Sequence, residues 1–375
     1  MFHIMFSMPG LYVISRFIWP MPWSRWTRIA AAVLVLLASQ YHLYARFSSG
    51  SVFSPEFPRA VVMLFNWAFG AILLIAVLQI IVDLGTLLTM LIRRRRLTIP
   101  AGLRYGFGAA ALVLAAIGVS QAIRVPPVKD IEVAITNLPP QFENYKILQL
   151  TDLHISRLFD GPWTRAVVTA SNGLGVDLIV VTGDLIDGSI SNRTLDIEAL
   201  RDLRAPDGVY VIPGNHEYFF DNEAWMQHFV SLGMVPLANS HTLLKRDGAQ
   251  LVLAGVTDVT APKTGFPAPD LEQALKGAPT DTPIILLDHQ PRNAREAAKR
   301  GVALQLSGHT HGGMILGIDR VIALANEGFV SGFYDVAGMQ LYVNNGTALW
   351  PGFALRLGRP SELTRITLRR AAGSN

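Results

Sequence analysis

Long apolar runs, rather than short alternating elements, organise the first third of the chain. Residues 60–92 carry a single charged side chain, and residues 105–123 carry none. Because about 20 apolar residues are enough for a helix to cross the hydrocarbon of a bilayer, both runs predict membrane-spanning helices. Residues 27–45 form a weaker third run that includes Gln40 and His42. The pattern therefore predicts a membrane-embedded helical region ahead of any soluble domain.

Another apolar run, residues 1–19, is interrupted by Pro9 and Arg16 and fits either a fourth span or an interfacial helix. The short loop between the last two spans contains Arg93–Arg96. Clustered arginines are retained on the cytoplasmic side, so the chain beyond the last span is expected outside the cytoplasm. We predict a transmembrane region over residues 1–125, with three or four spans, in a multi-pass protein of the bacterial inner membrane.

After residue 126 the pattern changes to short β-rich runs that alternate with amphipathic stretches of helical periodicity. Such alternation predicts a mainly parallel α/β structure with its ligand crevice at the carboxyl ends of the strands. The predicted strands are residues 146–150, 177–182, 208–212, 251–256, 282–287, 302–306, 340–343 and 363–368. The predicted helices are residues 163–171, 195–203, 223–232 and 291–299. Residues 126–375 are therefore expected to form a second, α/β domain.

Composition narrows the chemistry open to this second domain. The chain has no cysteine, which excludes disulfides, zinc fingers and thiol catalysis. Five of its nine histidines instead fall in polar clusters that follow predicted strands. The net charge of +4 owes much to the arginine run, and no nucleic-acid partner is expected. Any metal site must therefore use oxygen and nitrogen ligands.

Five polar clusters, each following an apolar run, carry the candidate chemistry. They are DLH (Asp152–His154), GDLID (Gly183–Asp187), GNHE (Gly214–Glu217), DH (Asp288–His289) and GHTH (Gly308–His311). Residues two apart in an extended segment point the same way, so His309 and His311 can face the same ions. Since Asp, Asn and His are ligands for divalent metals, the five clusters together predict a metal site. The preferred interpretation is a site that holds two metal ions.

In order and spacing, the clusters resemble the sequence blocks of the calcineurin-like metallophosphoesterases, also called the purple acid phosphatase superfamily. The resemblance covers about residues 129–368 and implies a four-layer α/β/β/α sandwich, here preceded by the transmembrane helices. The resemblance implies that one metal is held by Asp152, His154, Asp184 and His311. It implies that a second metal is held by Asp184, Asn215, His289 and His309, and that His216 is the catalytic histidine.

The implied chemistry is hydrolysis of a phosphate bond by two divalent ions that share the Asp184 carboxylate. The ligand types suit Mn(II), Fe(II) or Zn(II). A water that bridges two cations loses its proton readily, which provides a hydroxide nucleophile near neutral pH. His216, outside the metal shell, can protonate the leaving oxygen or bind the phosphoryl group together with Asn215.

Further residues carry more limited expectations. Residues 342–346 (YVNNG), with Arg356, resemble the closing block of a membrane-associated bacterial subgroup, in which an arginine near the site can hold a substrate phosphate. Packing of the loop is the alternative role for this arginine. Asp187 is expected to cap the turn after Asp184, and Glu217 to lie behind the ligands or in a turn.

The leading functional hypothesis is a membrane-anchored phosphoesterase that cleaves phosphate monoester, diester or pyrophosphate bonds of lipid-linked or cell-envelope substrates, with membrane lipids as its other partners. One alternative is a hydrolase of a UDP-2,3-diacylglucosamine pyrophosphate. That substrate is made on the cytoplasmic side, which disagrees with the predicted topology. An alternative of another class is a non-catalytic membrane scaffold. It predicts missing ligands or a replaced His216, whereas the sequence retains them all.

Overall fold

A computed structural model describes residues 2–94 and 97–371 and divides the chain into two compact units. The helical unit comprises Met1–Ile123 together with Pro351–Leu357. The α/β unit comprises Arg124–Trp350 and Gly358–Asn375. The boundary after Ile123 lies two residues before the predicted end of the transmembrane region at residue 125. The grouping of the late segment Pro351–Leu357 with the helices was not predicted from the sequence.

The helical unit contains five α-helices within the described part of the chain. They are α1 (Phe2–Val13), which continues into a π-helical turn (Ile14–Ile18), α2 (Arg25–Ser39), α3 (Tyr41–Ser49), α4 (Arg59–Arg93) and α5 (Ala101–Ala122). By length and composition, α4 and α5 can each cross a membrane, and α2 with α3 adds a third span if this pair, bent by 45°, crosses as one. Arg95 and Arg96 of the predicted cytoplasmic loop lie outside the described residues.

Buried polar side chains in α3 and α4 hold the segment Pro351–Leu357 inside the helical unit. Asn66 donates from Nδ2 to the carbonyl oxygen of Pro351 (2.8 Å) and accepts from the backbone amide of Ala354 at Oδ1 (2.6 Å). Tyr41 donates its hydroxyl to the same Pro351 carbonyl at 2.8 Å. A buried polar group in an apolar helix is costly unless it is bonded, so these contacts give Asn66 a structural role in the unit.

Two six-stranded mixed sheets form the α/β unit. The strands are β1 (Val128–Ile135), β2 (Lys146–Leu150), β3 (Leu178–Thr182), β4 (Val209–Ile212), β5 (Val235–Pro236), β6 (Ser240–Arg246), β7 (Ala249–Gly255), β8 (Ile284–Leu287), β9 (Leu304–Ser307), β10 (Gly332–Val336), β11 (Met339–Val343) and β12 (Leu363–Arg370). The strand order is β1-β12-β2-β3-β4-β5 in the first sheet and β10-β11-β9-β8-β7-β6 in the second. Seven of the ten strand pairs are parallel, in keeping with the mainly parallel structure predicted.

Short helices follow the strands of both sheets. They are α6 (Gly161–Asn172), α7 (Ile190–Ile197), α8 (Asn215–Phe219), α9 (Asn222–Ser231), α10 (Leu271–Ala274), α11 (Ala294–Lys299) and α12 (Asp319–Leu324). The predicted helix at residues 195–203 is wrong in extent, because α7 ends at Ile197 and a 3₁₀-helix, Glu198–Asp202, follows it.

Alternate side chains of the strands build separate layers of the core. Leu253 on β7 faces a cluster shared with the first sheet, which includes Val180 on β3. Its neighbour Val252 faces a second cluster, which includes Ala274 of α10 and Ala297 of α11. Successive side chains of a strand point to opposite faces, so β7 packs against a sheet on one side and against helices on the other. The mixed α/β sandwich predicted from the sequence is confirmed.

Candidate metal centre

The carboxyl ends of five strands supply the predicted ligands. Asp152 and His154 follow β2, Asp184 follows β3, and Asn215 follows β4 in the first sheet. In the second sheet His289 follows β8, while His309 and His311 follow β9. Within each sheet these strands are neighbours that run parallel to one another. Their carboxyl ends therefore lie side by side along one edge of that sheet.

One group of side chains that could hold a metal consists of Asp152, His154 and His311. The Nε2 atoms of the two histidines lie 3.3 Å apart. Asp152 Oδ1 lies 3.6 Å from Nε2 of His311 and 3.9 Å from Nε2 of His154. All three residues are buried. Two imidazole nitrogens facing each other beside a buried carboxylate suit a shared cation, because each nitrogen offers a lone pair when neutral.

A second group consists of Asp184, His289 and His309. Nε2 of His289 lies 3.2 Å from Asp184 Oδ2 and 3.2 Å from Asn215 Oδ1. The same Asn215 oxygen lies 2.9 Å from Nδ1 of His309. The four residues assigned to the second metal from the sequence therefore lie together.

Asp184 lies between the two groups. Its Oδ2 is 3.9 Å from Nε2 of His154 and 4.0 Å from Nε2 of His216, in addition to its contact with His289. A carboxylate approached by imidazoles from both groups is in the position that a bridging ligand requires. His154, Asp184 and His216 themselves form a third group of candidate ligands. The geometry thus places His216, predicted outside the metal shell, within reach of a cation as well.

A row of polar groups behind the ligands fixes their orientation. Asp187 contacts Nδ1 of His154 through Oδ2 at 3.0 Å and Nδ1 of His216 through Oδ1. Nδ1 of His289 lies 2.7 Å from the carbonyl oxygen of Thr182. Holding Nδ1 in this way directs Nε2 of each ring toward the ligand groups and selects the tautomer.

Asp187 has a role beyond the turn cap predicted for it, since its carboxylate orients two histidines of the site. The sequence signal for this role was a second carboxylate, three residues after Asp184 in the GDLID cluster. Glu217, expected behind the ligands, accepts from the backbone amides of Asp184 (3.0 Å), Leu185 (2.7 Å) and Gly214 (2.7 Å). Its carboxylate therefore joins the loops that follow β3 and β4.

Burial and neighbouring charges set the protonation of the site. Burial raises the pKa of Asp184, but the nearby His289 and His216 lower it by more. The pKa of Asp184 therefore lies well below its usual value. Burial also opposes the charge on His216, but the carboxylates of Asp187 and Asp184 raise its pKa to about 9. Burial, with the nearby His289, lowers the pKa of His309 to about 3. His309 is consequently neutral, which is the form that binds metal.

Arg356, the predicted phosphate-binding residue, belongs to the segment grouped with the helical unit. Its side chain is fully buried, and its backbone amide donates to the carbonyl oxygen of Gly118 in α5 (3.1 Å). A substrate contact by Arg356 remains a prediction.

Comparisons with known proteins match this chain to one family. A family model of calcineurin-like phosphoesterases matches residues 145–313. A "Transmembrane protein with metallophosphoesterase domain" from Bos taurus is 36% identical over 271 residues, which are 69% of this chain and 61% of that protein. The protein of the same name from Danio rerio is 34% identical over 268 residues, with the same two coverages. This chain thus spans about three fifths of the length of both.

A third relative is covered more fully. An "Uncharacterized metallophosphoesterase" from Helicobacter pylori (strain J99 / ATCC 700824) is 32% identical over 276 residues, which are 73% of this chain and 72% of that protein. The matched sequence and the groups of buried aspartate and histidine at the strand ends lead to the same assignment. This chain belongs to the calcineurin-like metallophosphoesterases.

Proposed function

We propose that this protein hydrolyses phosphate ester or pyrophosphate bonds with two divalent metal ions held at the strand ends of the α/β unit. The observation that carries the proposal is the convergence of ligand atoms into three overlapping groups, each within 4.8 Å. One ion would be held by Asp152, His154, Asp184 and His311. The other would be held by Asp184, Asn215, His289 and His309. Mixed carboxylate, amide and imidazole donors suit Mn(II), Fe(II) or Zn(II).

Bound divalent ions supply water activation and stabilise the negative charge of a phosphoryl group. The protein side chains supply proton transfer and orientation. His216 is held at Nδ1 by Asp187, and its Nε2 lies 4.0 Å from Asp184 Oδ2, so Nε2 faces the ligand groups. The carboxylates of Asp187 and Asp184 favour the protonated form of His216, and this form can donate its proton to a departing oxygen.

The test uses the full chain, solubilised in detergent, stripped of metal and reloaded with Mn(II). Monoester, diester and pyrophosphate substrates are assayed side by side. Asp184→Asn removes the shared charge and should abolish measurable turnover, while His216→Gln should lower kcat by about 10²–10⁴-fold. Asp281→Asn and His228→Gln replace the same residue types outside the site and should retain activity. Wild-type turnover by Asp184→Asn would contradict the proposal.

We further propose that the helical unit anchors the enzyme, with the α/β unit on the non-cytoplasmic side of a bacterial inner membrane. Two helices long enough to span and the arginines between them support this placement. A periplasm-active reporter fused after Arg370 should be active, and a reporter active only in the cytoplasm should be silent. The opposite pattern would reverse the orientation and restore the nucleotide-linked lipid as a candidate substrate.

Anchoring favours a substrate whose phosphate emerges from the bilayer. We therefore expect a phosphomonoester with acyl chains, such as phosphatidic acid in mixed micelles, to be cleaved with higher kcat/KM than water-soluble glycerol 3-phosphate. The comparison needs the full chain, because anchoring is the property under test. Equal kcat/KM for the two substrates would remove the lipid-linked class while leaving the hydrolase proposal intact.

A further inference from the structure

A cluster of charged and polar side chains lies within the helical unit, among α1, α4 and α5. Asp83 accepts hydrogen bonds from Nε of Arg16 (2.9 Å), the hydroxyl of Tyr12 (2.7 Å) and Nε2 of Gln79 (2.7 Å). Arg104 donates to Oε1 of Gln79 (3.2 Å) and to the carbonyl oxygen of Arg16 (2.7 Å). Charged groups in apolar helices are costly, which makes them candidates for function.

The cluster has one more positive charge than it has negative charge. Residues 1–123 contain only two acids, and the other one, Glu56, lies before α4, where it bonds Ser54. Asp83 forms an ion pair with Arg16, whereas the two acceptors of Arg104 are both neutral. Arg104 is nevertheless almost completely buried. A buried guanidinium with neutral partners alone favours an additional anion.

A cavity of about 570 Å³ opens beside these groups and is lined by Arg16, Asp83 and Arg104. The rest of its lining is largely apolar and includes Leu84 and Leu87 of α4. These two leucines are 61% and 50% exposed on the outer surface of the helical unit. The cavity therefore joins a cationic interior to an apolar wall that faces outward, which matches a molecule with an anionic head and hydrocarbon tails.

Aromatic side chains cluster at this end of the helices. Trp23 donates from Nε1 to the hydroxyl of Tyr105, the residue next to Arg104 (2.8 Å). The guanidinium of Arg28 lies 5.4 Å from the ring centre of Trp19. Tryptophan and tyrosine concentrate where a bilayer meets water, and basic pockets between helices at that depth bind anionic lipid headgroups.

We infer that this arginine cavity, lined by Arg16, Asp83 and Arg104, binds the headgroup of an anionic phospholipid from the surrounding bilayer. Arg104 contacts the phosphate, and Arg16 contributes the second positive charge. The acyl chains lie along Leu84 and Leu87. This lipid site is separate from the metal centre, and the inference does not depend on the proposed hydrolase function.

Lipid binding to the full chain can be measured by native mass spectrometry from detergent, with phosphatidylglycerol and phosphatidylcholine of identical acyl chains. The wild type should bind phosphatidylglycerol about tenfold more tightly than phosphatidylcholine. Arg104→Gln should weaken phosphatidylglycerol binding about tenfold, because a charge-assisted hydrogen bond is lost. Arg46→Gln, at an exposed position of α3, is the matched control and should bind like the wild type.

Equal binding of the two lipids by the wild type would overturn the inference, and that comparison needs no variant. Wild-type binding of phosphatidylglycerol by Arg104→Gln would overturn it as well. Displacement of the lipid by millimolar glycerol 3-phosphate would show that the site takes a free phosphate rather than a lipid, and would also refute it. If Arg104→Gln does not purify as one species, Arg16→Gln removes the other positive charge of the cavity and should also lose affinity.

Discussion

At the scale of single residues, the backbone of the metal centre is under conformational strain. Five of the seven candidate ligands have positive φ values: Asp152 (52°), His154 (43°), Asp184 (55°), His309 (67°) and His311 (51°). Such left-handed conformations are uncommon outside glycine, and each costs of the order of 1–3 kcal/mol when the surroundings enforce it. Hydrogen bonds between loops enforce it here, since Asp152 donates to the carbonyl oxygen of Gly183 (3.0 Å) and His154 to that of Asp184 (3.1 Å). Positioning of the ligands is thus coupled to the packing of these loops.

Gly183→Ala tests how closely the loops that follow β3, β4 and β8 approach each other. Gly183 has a φ of +92°, and a Cβ there would lie 2.6 Å from the backbone nitrogen of Gly214 and 2.7 Å from Nδ1 of His289. Gly248→Ala is the matched control, because Gly248 has a φ of +84° but no neighbour within 4 Å of an added Cβ. We expect the control to lose about 1 kcal/mol of unfolding free energy and Gly183→Ala at least about 2 kcal/mol more, with loss of metal binding. Equal losses in thermal or denaturant unfolding would show that the loops can move apart.

Asp187→Asn tests whether this carboxylate orients the site. Replacing it removes the charge that holds Nδ1 of His154 and His216. Loss of a partner behind metal ligands lowers metal affinity or activity by about 10–100-fold, and we expect a loss in that range. The pKa of His216 should also fall, because Asp187 is the largest of the carboxylate charges that raise it, and the pH–rate profile should shift toward lower pH. Asp281→Asn should change neither quantity, and an unchanged profile for Asp187→Asn would leave Asp187 as a turn residue.

The residue types of the site were predictable, but its strain and the role of Asp187 were not. Asp, Asn and His directly after apolar runs identify the ligands, because strand ends and metal chemistry are both local properties of the sequence. The positive φ values and the contacts of Asp187 depend on hydrogen bonds between segments that are far apart in the sequence, such as those from Asp187 to His154 (33 residues) and to His216 (29 residues). A single sequence read locally does not contain that information.

At the scale of elements, the strands that the sequence did not predict share one property. They are β1, β5, β6 and β10, and these four strands form the edges of the two sheets. An edge strand is covered on fewer sides than a central strand, so it tolerates polar residues and need not carry a continuous apolar run. β1, for example, has alternating exposed and half-buried positions over most of its length, whereas every residue of β3 is buried. The central strands, which carry the ligands, were predicted with ends within two residues of those observed.

Asn66→Leu tests the segment Pro351–Leu357, whose place within the helical unit was not predicted. The substitution leaves the Ala354 amide without the acceptor that lies 2.6 Å away and removes one of the donors to the Pro351 carbonyl. A buried group left unbonded costs about 1–3 kcal/mol, so the helical unit should unfold at a lower temperature in detergent. Tyr41→Phe is the milder comparison, since Asn66 still bonds the Pro351 carbonyl. If Tyr41→Phe destabilises the unit as much as Asn66→Leu, the amide of Asn66 is not the main attachment.

At the scale of the whole molecule, composition separates an apolar helical unit from a charged α/β unit, and the α/β unit buries a cluster of four carboxyl groups at its metal centre. Asp152, Asp184, Asp187 and Glu217 are all at most 1% exposed. Four carboxyl groups buried near one another repel when ionised, and burial with the nearby Asp184 raises the pKa of Glu217 to about 7. Bound cations would offset this repulsion, so metal binding and stability of the α/β unit should be linked.

The link between metal binding and stability can be tested on the complete protein by removing the metal. Chelator treatment should abolish hydrolysis and lower the Tm of the α/β unit, and Mn(II) should restore both. An ion present at a hundred times its Kd stabilises the native state by about 2.7 kcal/mol, and 1 kcal/mol corresponds to roughly 2–4 °C for a unit of this size. The expected shift is therefore roughly 5–10 °C for each site that fills. The Tm of Asp184→Asn, which lacks the shared ligand charge, should respond much less to Mn(II). A wild-type Tm that is the same with and without metal, in protein shown to bind it, would mean that the acidic cluster is stabilised by the surrounding histidines and backbone amides alone.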